Sequence, residues 1–133
     1  WQNGRVLLAA TALAAMSFGV LAVVLAILPF GILGWVFSQF AALGLSLDVF
    51  AAAVVPHSLI EVPAILLMSA AALRLGAIIT RRLPEGKSVG EVWIAAAADV
   101  VKIGVGLVLP LLILAAVVEV YVTPVIVSAV LDI

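Results

Sequence analysis

From Val6 to Phe30 the chain runs for twenty-five residues without one charged side chain. As a helix this stretch reaches roughly 37 Å, more than the hydrocarbon core of a bilayer. Lipid offers backbone amides no hydrogen-bond partner, so a stretch like this is expected to be helical. The rest of the chain agrees: of 133 residues, 68% are hydrophobic and 10% charged, where a soluble domain carries about a quarter charged. These proportions exclude a soluble enzyme, a nucleic-acid binder and a disordered segment. Six Lys and Arg against seven Asp and Glu give a net charge of -1, so there is no basic patch for a polyanion. The lack of cysteine removes disulfides, thiolate metal sites and Cys nucleophiles. The chain opens on Trp1, and its first apolar run is longer than that of a cleavable signal peptide. It is therefore expected to be a single transmembrane domain, residues 1–133, taken from a longer protein.

The expected fold is all-α: a polytopic membrane bundle with about three full spans plus short re-entrant or interfacial helices. The first span is Val6 to Phe30, ended by Pro29 and Gly31. Gly31 to Val55 is broken by Gly34, Ser38, Gln39, Gly44, Ser46 and Asp48. It reads as two short helices around Gly44-Leu45-Ser46, with one further full crossing as the alternative. The second span is Pro56 to Thr80, with Pro56 at its start and a kink or break at Pro63, which frees the Leu59 carbonyl. Arg81 to Lys87 forms a hydrophilic loop. Ser88-Val-Gly-Glu91 is a capping-box pattern opening the next helix. That helix could run to Val122, roughly 51 Å. Val89 to Lys102 reads as juxtamembrane, with Glu91, Asp99 and Lys102 on one stripe, and Ile103 to Val122 as the third span, loosened by Gly104, Gly106 and Pro110. Pro124 stops it, and Val125 to Ile133 reads as the start of another apolar segment. Runs such as Ala70–Ala72 and Ala95–Ala98 have two readings of equal weight, close helix approach in lipid and plain alanine-rich composition.

With three such crossings, Arg5, Arg74, Arg81, Arg82, Lys87 and Lys102 fall on one side. The positive-inside rule makes that side cytoplasmic, in a plasma or inner membrane. Trp1 and Trp93 mark the same interface, Trp35 and Tyr121 the other. Arg74, Arg81 and Arg82 are expected at the inner interface, where they snorkel or hold lipid head groups.

Glu61 and Glu119 stand in strongly apolar surroundings, where a carboxylate is costly unless neutral, paired or wet. His57 lies four residues before Glu61 and shares its helix face. With Thr123, these residues form a candidate intramembrane polar centre. Two readings stay open. One is an ion or proton site, of the kind built by broken helices in transporters, with the metal unspecified. The other is structural, with the carboxylates capping loose N–H groups. There is no HExxH and no second histidine, no P-loop, no dinucleotide-binding glycine pattern and no nucleophile elbow. The chain is thus expected to be no enzyme and to need no cofactor.

The stretch Pro56-His57-Ser58-Leu59-Ile60-Glu61-Val62-Pro63-Ala64-Ile65, continuing to Leu73-Arg74-Leu75-Gly76, resembles the signature of the stage II sporulation protein M family, P-H-G-x-x-E-L-P-A-I followed by small residues and L-R-L-G. Ala115 to Pro124 is similar to that family's A-x-x-E-x-x-x-T-P, and Asn3-x-Arg5-Val6 to its opening. Ser58 departs from the usual Gly, and Pro29-Phe30-Gly31 from a frequent Asn-Gly turn, which marks a divergent branch. The resemblance implies a polytopic, non-enzymatic membrane component that partners other membrane proteins or a second copy of itself. It also implies that His57, Glu61, Glu119 and Thr123-Pro124 form a shared centre. The competing expectation is a translocator of ions or solutes using that centre.

Overall fold

The computed structural model describes residues 5, 9, 12, 13, 16, 17 and 20–132. All regular structure among them is helical. Trp1, Asn3 and most of Val6 to Gly19, in the first half of the expected first span, lie outside the described residues.

Helix α1, Val20–Ala42, passes through Pro29 without interruption. Pro29 and Gly31 therefore do not end a helix, contrary to the sequence expectation. In an apolar setting the backbone has no water to turn to, and it keeps its remaining internal hydrogen bonds on either side of a proline. The chain turns at Gly44 instead. The Gly44 N–H donates to the Ala41 carbonyl and the Leu45 N–H to that of Phe40, which is the Schellman arrangement. It needs a residue at positive φ, and Gly44 supplies 68° at no steric cost. Ser46 then caps α2, its side chain accepting from the Asp48 N–H at 3.2 Å. The break expected around Gly44-Leu45-Ser46 is present, but the flanking helices are long rather than short. Phe50 closes the hairpin, edge-on to both Phe37 and Phe40 at 5.3 Å.

Helix α2 spans Leu47–Ala77 and contains both Pro56 and Pro63. Pro56 is thus three turns inside the helix rather than at its start, and Pro63 causes no break. Each proline still withholds a donor, from the Ala52 carbonyl and the Leu59 carbonyl respectively. A 3₁₀ turn, Ile78–Thr80, leads into the polar loop. There Gly86, at φ 76°, allows the Lys87 N–H to reach the Pro84 carbonyl.

The Ser88 capping box forms as expected. The Ser88 N–H donates to Glu91 at 2.8 Å and the Glu91 N–H to the Ser88 hydroxyl at 3.3 Å. From there one helical rod runs to Val130 in five pieces: α3 (Val89–Ile103), a π segment (Gly104–Val108), α4 (Leu109–Val117), a second π segment (Val118–Val122) and α5 (Thr123–Val130). Pro124 therefore does not stop the helix, and Val125 onward continues it rather than starting a new one. Each π segment precedes a proline, Pro110 or Pro124. A proline ring presses on the carbonyl four residues back, which is Gly106 or Val120, the middle residue of each π segment. The wider i→i+5 turn relieves that pressure.

Helix α2 is the spine, touching α1, α3, α4 and α5. It packs antiparallel to the long rod through Ala64, Met68, Ala71 and Leu75 on one side and Ala96, Val100 and Val108 on the other. Leu47–Ala77 and Val89–Val130 are both long and apolar enough to cross a membrane. Only 17% and 11% of their most apolar windows are buried, the reverse of a core helix in a soluble domain. Ala26–Ala42 in α1 is a shorter apolar stretch.

Candidate functional site

The buried positions of α2 advance by threes and fours through Ala64, Met68, Ala71 and Leu75. Stepping back along that stripe leads to Glu61 and then His57, so two polar residues continue an otherwise apolar seam. Both are half-buried. The imidazole Nδ1 of His57 is buried with no hydrogen-bond partner among the described residues. Glu61 is engaged in an interaction of its own.

Across the seam, two contacts fix the register. Arg74 pairs with Asp99 at 3.0 Å, and Gly104 lies against Met68. Continued at 1.5 Å per residue on both rods, this register brings Glu61 level with about Leu112 and His57 level with about Ala115. Glu119 and Thr123 follow in the next turns, so the four residues are spread along roughly 15 Å. Thr123 is buried, 8% exposed, and its hydroxyl has no partner among the described residues. Glu119 lies in the second π segment and is exposed. Among the described residues, no three of His, Cys, Asp and Glu come together as metal ligands.

Thr123 owes its place to the π segments. On an unbroken α-helix, at about 100° per residue, it would face away from Ala96. Two π turns, each taking up roughly one extra residue, return it to the seam. The seam thus offers an imidazole and a carboxylate one turn apart, and a buried hydroxyl further along. Such groups can hold and pass a proton or order water.

Arg74 and Asp99 form a second polar feature at the loop end, with side chains 59% and 38% exposed. Sequence spacing alone gives Arg74 no partner; only the antiparallel register, with each residue gained on one rod matched by one lost on the other, points to Asp99. Arg81 and Arg82 are exposed where α2 runs into the loop. Glu91 lies at the same end, in the capped first turn of α3 beside the polar loop. Its carboxyl is held below the ordinary value, chiefly by the Ser88 backbone N–H and then by the Ser88 hydroxyl.

Comparison with characterised proteins and with solved structures gives no match. The family model for stage II sporulation protein M matches residues 1–124. That range takes in the α2 stripe bearing His57 and Glu61, and the rod as far as Thr123-Pro124. The chain belongs to the stage II sporulation protein M family.

Proposed function

We propose that the protein is a non-enzymatic, multi-pass membrane scaffold that holds other membrane subunits or a second copy of itself. The observation that carries this reading is the closeness of the seam. Ala64 and Ala72 have no exposed surface, and Gly104 lies against Met68, so two rods close on one another through small residues. Their outward faces remain apolar, with Leu59, Val101, Val105 and Ile113 all more than half exposed. In lipid such faces associate by packing rather than by a hydrophobic force. In this reading the Arg81–Lys87 loop is cytoplasmic, in keeping with its cations. Purification in mild detergent should recover a stable complex or a homodimer. A lone, stable monomer with no co-purifying partner would overturn the proposal, and protease accessibility of Lys87 from outside would overturn the orientation.

A second reading is favoured by the buried, unpartnered atoms of His57 and Thr123. Here the seam passes a proton or small ion, with Glu61 and Glu119 as further stations. Glu61→Gln should then abolish an ion flux in proteoliposomes while expression is retained. Flux unchanged by that substitution would remove this reading.

A further inference from the structure

A cleft of about 220 Å³ lies between α2 and α3. Its walls are apolar, among them Leu67, Ala71, Val100 and Ile103, and Arg74 and Asp99 stand at its polar edge. We infer that this cleft is a binding site for an anionic phospholipid, its phosphodiester on Arg74 and part of an acyl chain against the apolar walls. The site is separate from the polar residues of the seam and does not depend on the scaffold reading.

Three observations carry the inference. Arg74 lies seven residues before Arg81, about 10 Å along the axis, which places it near the boundary of head groups and acyl chains when the loop lies at the membrane surface. The Nη1 of Arg74 meets Oδ2 of Asp99 at 3.0 Å. The guanidinium has five N–H donors and the Arg74 side chain is 59% exposed, so it can serve Asp99 and a phosphate together, a geometry that Arg favours. The apolar walls distinguish a lipid from a free phosphate, which would have no use for them.

The test uses the full chain in a neutral detergent, titrated with phosphatidylglycerol, phosphatidylcholine or inorganic phosphate, with bound lipid measured by native mass spectrometry. Phosphatidylglycerol should bind, and Arg74→Gln should weaken it about tenfold, the loss of one charged hydrogen bond. Asp99→Asn should preserve or tighten binding, since it frees the guanidinium. Should Arg74→Gln misfold because Asp99 is left unpaired, the double variant Arg74→Gln/Asp99→Asn removes both charges and must show the same tenfold loss. The inference is overturned if phosphatidylglycerol binding survives loss of Arg74 in either background, or if Asp99→Asn weakens it as much. It is also overturned if inorganic phosphate at equal concentration displaces the lipid.

Discussion

Gly104 faces Met68 across the seam so closely that a Cβ on the glycine would stand 3.7 Å from both Sδ and Cε. That is an ordinary contact with nothing to spare. Gly104→Ala should therefore be tolerated, and can gain up to about 1 kcal/mol from helix propensity. Gly104→Leu should push into Met68 and cost about 1–3 kcal/mol through overpacking. Thermal midpoints in detergent, followed by tryptophan fluorescence, separate the two. Equal midpoints would mean that the seam is looser than described.

The hairpin turn makes a different demand on glycine. Gly44 holds a φ of 68°, so Gly44→Ala should lose about 1 kcal/mol to left-handed backbone strain. Gly34 lies in α1 with open space around its Cβ position, and Gly34→Ala should lose nothing. Comparing the two variants by thermal unfolding isolates backbone strain from side-chain volume.

The Ser88 cap can be weighed directly: Ser88→Ala should destabilise by about 1 kcal/mol. The Glu91 half of the box should show as a pH effect. Its folded-state carboxyl lies below the ordinary value of 4.5. Its stabilising contribution is therefore complete above about pH 4.5 and is lost as pH falls through the lowered folded-state value. Glu91→Gln should flatten that acid limb of the stability profile and leave the rest unchanged.

Thr123 tests the polar seam from its far end. An orphan hydroxyl at a buried position costs about 1–3 kcal/mol, so Thr123→Val, nearly the same shape, should raise the thermal midpoint. A lowered midpoint would reveal a hydrogen-bonded partner for that hydroxyl, an ordered water included.

Local chemistry was the legible part of the sequence. The turn at Gly44 and the cap at Ser88 rest on neighbouring residues and form where the sequence places them, and the motifs around Glu61 and Glu119 point to the family whose model matches. The prolines were misread because their helix-breaking reputation comes from water, where a broken backbone is solvated. Pro29, Pro56, Pro63 and Pro124 all lie within helices here, since an apolar environment makes leaving the helix costlier than losing one hydrogen bond. The Arg74–Asp99 pair was hidden for another reason. It depends on the register between two rods, which no single segment encodes. Thr123 was singled out by its motif, but its burial depends on π turns that neither pattern nor propensity announces.

Those π turns act on the long rod as a pair of phase corrections. Take one residue out of Gly104–Val108 and the wide turn closes into an ordinary α turn, so Thr123 and the face of α5 stay in phase with the groove. The same deletion in the regular α4 stretch would instead swing everything beyond it by roughly 100° and misalign the distant part of the rod.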